Sequence, residues 1–242
     1  MLKIFRKIIR GQLFENKTNS SSSPVGKYLL YAVGEIILVV FGILIALQIN
    51  NWNTRRIEKI NEKKSYENIR RQVAEDMDEL SSVKNANSYF SYQYELANQI
   101  VSSNDFRKID TLAFLAMNLS QYSDFHRGGK IYETIVNSGE IRLLKNSEIT
   151  SMLQRLEMTY TYINKLEDIH WEIIINELSP ELKGVINYSN MQIIKPEKLF
   201  SVEIQNIIIE SIYLTKGKDS IYTKALDEIE TILELIGEEL DK

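Results

Sequence analysis

Apolar positions fall into two kinds of run along this chain. From Tyr28 to Ile49 they are nearly continuous, YLLYAVGEIILVVFGILIALQI, with Glu35 the one charge among them. Ile36 to Leu47 contains no polar side chain, so no amphipathic period accounts for it. A helix of that length rises ~33 Å, close to the thickness of a hydrocarbon core of about 30 Å. Tyr28, Tyr31 and Trp52 stand near its two ends, where amphipathic rings prefer the headgroup zone. The pattern predicts a single transmembrane helix over 28–52. A buried helix of a soluble domain is the competing reading, and Glu35 and Gln48 favour it. A cleaved signal peptide fits less well, because Gln48–Asn53 offers no small-residue cleavage pair.

Elsewhere the apolar residues recur at helical spacing. Tyr66, Ile69, Val73, Met77, Leu80, Val83, Phe90, Tyr94 and Ala97 form one stripe, interrupted by Asn85, Asn87 and Ser88. No Gly or Pro occurs between Gly42 and Gly128, so the spanning helix is expected to run on as a long stalk. That stripe suits packing within the chain better than a regular coiled-coil seam. A short helix is expected from Asp110 to about Tyr122, then turns at His126–Lys130 and Ser138-Gly139. A helix follows over Ser147–Leu178 with Ser147 as its N-cap, ended or bent by Ser179-Pro180. Pro196 opens another, which Gly217 is expected to end, and Asp219 caps the last. Sustained strand alternation is absent. The expected fold is all-α: residues 1–14 an interfacial amphipathic segment, 15–27 a linker, 28–52 the span, 53–103 the stalk, and 104–242 a helical domain packing on the stalk.

Composition narrows the classes. Of 242 residues, 44% are hydrophobic and 26% charged, which excludes a disordered chain and a polytopic membrane protein. Cysteine is absent, which removes disulfides, thiolate metal sites, cysteine nucleophiles and iron–sulfur clusters.

Charge changes the picture more. The net charge of −4 divides into +5 over residues 1–27, +4 over 50–71 and −12 over 72–242, with Glu35 between the first two. In Met1–Phe14 the cations Lys3, Arg6, Lys7 and Arg10 flank an apolar helical face. With Arg55 and Arg56 beyond the span, they are the candidate contacts to anionic lipid headgroups. No aromatic-interleaved basic stripe supports nucleic acid as a partner. The flanking counts, three basic residues before the span and five after it, put the large domain inside. The whole basic tail resists export at ~2.3 kcal/mol per charge per 100 mV, and on that ground the tail is expected in the cytoplasm and the domain in the periplasm of a bacterial inner membrane.

Candidate chemistry is sparse. The two histidines, His126 and His170, are too few for a His-rich zinc site and read as surface or packing residues. Gly128-Gly129-Lys130 lacks the spacing of a P-loop, and no nucleophile elbow occurs. The acidic last helix reads as a solvated face. No catalytic residue, cofactor or metal ligand is expected, and the protein is not expected to be an enzyme. Glu35 stands out, because a carboxylate inside an apolar span is costly and by default functional. With Gly42 and Ala46, a small-xxx-small pair, it lies on one helix stripe suited to helix pairing and to a homo-oligomer. The alternative places Glu35 at headgroup depth.

The stretch GKYLLYAVGEIILVVFGILIALQINNWN, Gly26 to Asn53, is similar to the opening of an uncharacterised family of bacterial single-span membrane proteins common in the Bacteroidetes (domain of unknown function 6090 type). IYETIVNSGEIRLLKNSEI, Ile131 to Ile149, resembles that family's second recurring segment, with Gly139-Glu140 where Gly-Asn or Gly-Lys is usual. The resemblance implies a single-span anchor with a helical domain and no assigned activity. Two functions remain in view. One is a membrane-anchored, non-enzymatic interaction, scaffold or sensor module acting through a protein partner. The other is an accessory subunit of an ion-driven or transport complex in which Glu35 titrates.

Overall fold

The computed structural model describes residues 24–126 and 129–242, so Lys3, Arg6, Lys7 and Arg10 lie outside the described residues. The first helix, α1 (Pro24–Ser102), runs 79 residues without a break. Proline suits its first turn, where the missing N–H has no partner to lose. The chain leaves it through Asn104, which takes a left-handed φ of 50°. Two compact units divide between Ile57 and Glu58. The first holds the apolar part of α1, whose best window reaches a mean hydropathy of 2.5 with none of it buried. The core helix of a soluble fold would be covered.

The second unit is a helical bundle. To residues 58–102 of α1 it adds α2 (Ile109–Asn118), α3 (Ile131–Asn137), α4 (Ser147–Ile173), α5 (Ser179–Lys183) and α6 (Val202–Leu240). A two-residue hairpin pairs Ile186 with Ile193 and Asn187 with Gln192. The long helices α4 and α6 pack along one another.

Among the described residues, two apolar clusters make the core. One joins Tyr66, Ile69, Val73 and Leu80 of α1 to Ile149–Ile163 of α4 and Tyr222–Ile236 of α6. The other joins Tyr94–Val101 of α1 to α2, Leu178–Ile186 and Ile204–Ile208 of α6. Between them, Asn87, Ser123, Glu167, His170, Thr215 and Lys218 are buried polar residues. The α1 stripe is thus intrachain packing, and its interruption at Asn87 is the entry to a polar layer. Tyr94 belongs to the core, whereas Tyr89 and Tyr92 are exposed.

Several local readings change. Asn146, not Ser147, caps α4, its side chain accepting from the amides of Glu148 and Ile149. The second helix ends at Asn118 rather than near Tyr122. Pro196 opens only a 3-10 turn, and Ser201 caps α6. Gly217 does not end a helix: α6 continues through it because Thr215, Lys218 and Tyr222 on its flanks are all held in the interior. Ser179-Pro180 does not end the helical run: a widened π turn over Ile174–Leu178 leads directly into α5, with the proline in its first turn. On the acidic last helix, Glu228 is buried rather than solvated, with Lys224 3.8 Å away.

Candidate functional site

Glu35, Gly42 and Ala46 are exposed on α1 and, with Val39, share one face by their spacing. A Cβ added at Gly42 would meet nothing within 4 Å, so that face admits the close approach of another helix. Arg55 and Arg56 are exposed as well, and the Arg56 guanidinium lies 6.0 Å over the Trp52 ring.

The second arrangement is interior. Glu167 and His170 are three apart on α4, and Lys218 and Tyr222 four apart on α6, so each pair shares a helix face. In the connector that follows α2, Leu119–His126, Ser123 and Phe125 are buried. Beyond the connector's first amides, which donate to α2 carbonyls, side chains hold its backbone: Tyr94 donates to the Gln121 carbonyl at 2.6 Å, and the Phe125 amide donates to Glu167 Oε1 at 3.0 Å. The His126 amide donates to Glu79 Oε1 at 3.1 Å.

Lys218 is fully buried. Its ammonium donates to the Ser123 carbonyl at 3.1 Å, sits 3.1 Å from His170 Nδ1 and lies 5.5 Å over the Tyr122 ring. An ammonium has no acceptor, so Nδ1 accepts and His170 is the neutral tautomer protonated at Nε2. Burial, and then repulsion from Lys218, holds the imidazole down to about 3. Burial also lowers Lys218 to about 8, against the pull of Glu167 and Asp124. Glu167 moves the other way, raised to about 7 by burial although Tyr222, Lys218 and the Phe125 amide oppose it. Burial and the Glu167 charge push the Tyr222 phenol up.

Tyr222 OH approaches Glu167 Oε1 at 2.5 Å and Ser123 Oγ at 3.2 Å. Ser123 Oγ donates to Asn87 Oδ1 at 3.0 Å, and Asn87 Nδ2 donates to the Thr215 carbonyl at 2.8 Å. Asn87 and Thr215 border a surface groove of about 400 Å³ between α1 and α6, crossed by the ion pairs Lys84–Asp219 at 3.2 Å and Lys216–Glu95 at 2.9 Å. Among the described residues no group of three or more His, Asp or Glu is placed to hold a metal ion.

Sequence reasoning singles out neither Glu167 nor Lys218 as functional. A signal was present: Ile208, Ser211, Thr215, Lys218, Tyr222 and Ala225 follow helical spacing, which puts Lys218 in phase with the core face. Reading Gly217 as a helix end breaks that phase. His170 is a packing histidine, as its isolation suggests, but one bonded to a lysine.

The model of a family of unknown function (DUF6090) matches residues 35–216, from the apolar part of α1 to the middle of α6. No curated protein and no solved structure matches the chain.

Proposed function

The chain belongs to this family of unknown function, DUF6090, and on that premise we propose that it is a membrane-anchored, non-enzymatic interaction or sensor module. Its apolar helix crosses the bacterial inner membrane once, and its bundle, on the periplasmic side, presents the surface that partners bind. One observation carries the reading: the apolar window of α1 is wholly uncovered, yet the same helix continues unbroken into a well-packed bundle. Burying such a face in lipid gains about 25 cal/mol per Å² of apolar area. Arg55 and Arg56 follow the apolar run on the bundle side and are suited to anionic headgroups. The Glu35–Gly42–Ala46 face offers a pairing surface for a second copy.

Fractionation tests the anchor: the full chain stays with membranes after an alkaline carbonate wash, and release into the supernatant would end the proposal. Cross-linking in native membranes tests the pairing face, since Glu35→Ala should lower the yield of cross-linked species. A fusion of a periplasm-dependent reporter to the C-terminus reads the sidedness. A second reading rests on Glu35 itself, a carboxylate within an apolar run, as a titrating group of an ion-driven or transport complex. Full proton-coupled activity of an associated complex with Glu35→Gln would remove it.

A further inference from the structure

The hydrogen-bond chain Glu167–Tyr222–Ser123–Asn87–Thr215 has one more link than its protons can fill. Asn87 Nδ2 donates to the Thr215 carbonyl, which orients the amide so that Oδ1 faces Ser123. Ser123 therefore spends its single proton on Asn87 Oδ1 at 3.0 Å. With Glu167 ionised, Tyr222 spends its single proton on Oε1 at 2.5 Å. Ser123 Oγ and Tyr222 OH, 3.2 Å apart, then face each other with lone pairs only, in an interior where an unmade bond is costly. One added proton resolves this. Placed on Glu167 Oε1, it is donated to Tyr222, which turns its own proton to Ser123, and every link of the chain is made. Oε1 still accepts from the Phe125 amide.

We propose that this chain is a proton-binding site: Glu167 takes a proton from solvent, no bond is broken, and the hydroxyls of Tyr222 and Ser123 form a single directed series from α4 to α1. This rests on the geometry of the bundle alone and is independent of the membrane reading. The groups around Glu167 agree with it. Lys218 and Tyr222 face it from α6, Tyr122 and Asp124 from the connector, and Asp168 and His170 belong to its own helix. On α1, Tyr94 donates to the Gln121 carbonyl, Asp76 accepts from Tyr160 and Glu79 accepts from the His126 amide. Burial raises Glu167 to about 7 despite the Lys218 charge, so uptake falls near neutral pH. The sign follows: a group whose folded value is raised supports the fold below its ordinary value, and that support is lost as pH rises through about 7.

The test is pH-difference infrared spectroscopy on the full chain in lipid nanodiscs between pH 5.5 and 8.5. The expected result is a protonated-carboxyl band that disappears with a midpoint near 7, is absent in Glu167→Gln and is unchanged in Glu79→Gln. Ser123→Ala removes the hydroxyl that the reversed Tyr222 bond needs but keeps the backbone carbonyl that holds Lys218. It should lower the midpoint, a loss of roughly threefold or more in proton affinity. No titrating carboxyl in this range, or a band that survives Glu167→Gln, overturns the proposal. So does a midpoint that Ser123→Ala leaves in place, because the proton would then not be directed along the chain. Should Glu167→Gln fail to fold, the wild-type and Ser123→Ala titrations decide alone.

Discussion

Lys218 is the residue on which the interior charge turns. A lysine without exposure has two costs, desolvation of the ammonium and loss of rotamer freedom. Here a carbonyl, an imidazole nitrogen and an aromatic face meet its head, yet its value still falls to about 8. A depressed folded value means stability that is complete above the ordinary 10.5 and is lost as pH falls through about 8. Denaturant unfolding of wild type at pH 7.5 and 9.5 should therefore show a gain at the higher pH of about 2 kcal/mol relative to Lys218→Met, in which the titration is missing. A difference that stays constant with pH would mean that Lys218 is uncharged or is wetted. The spacing of this lysine was visible in the sequence. Its partners were not, because His170 and Ser123 lie 48 and 95 residues away and periodicity carries no information about which faces meet.

At the scale of elements, the helices were legible and their ends less so. The stripes of α1 and α4 rest on many apolar residues at regular spacing, and packing against two cores enforces them. Boundaries depend on one or two side chains, and competing caps such as Asn146 and Ser147 are nearly equivalent to the eye. Gly217 is the instructive case. Its intrinsic cost in a helix is about 1 kcal/mol, less than what Tyr222, Ala225, Ile229 and Ile232 gain by burial on one continuous face. Since a Cβ there would meet nothing within 4 Å, Gly217→Ala should raise stability by roughly 0.5–1 kcal/mol, seen as a higher thermal midpoint. Gly139 gives the opposite expectation. It holds a φ of 76°, so Gly139→Ala should cost about 1 kcal/mol in the same melt.

For the whole molecule, the apolar part of α1 and the bundle make different demands on solvent. Residues 58–242 contain both apolar clusters and the polar layer. Produced alone, they should fold cooperatively and remain in the supernatant without detergent, while the full chain should need lipid or detergent. Aggregation of that fragment with native-like helicity would show that the uncovered segment is not the source of the demand. The all-α class and the exposed greasy segment were both plain in the sequence, because each is written in local composition. The polar layer was not, since it is assembled from three helices and a connector.

That layer has a mechanical consequence. Apolar cohesion holds each end of the bundle, but across the middle it gives way to a handful of directional bonds. A structure with such a seam has a natural line along which to part. Hydrogen exchange in the intact protein should reveal two cooperative opening units, one carrying Tyr94–Val101 and Ile204–Ile208 and the other Ile149–Ile163 and Tyr222–Ile236. Loosening one half would then leave its neighbour ordered, so the bundle can change shape at one end without unfolding.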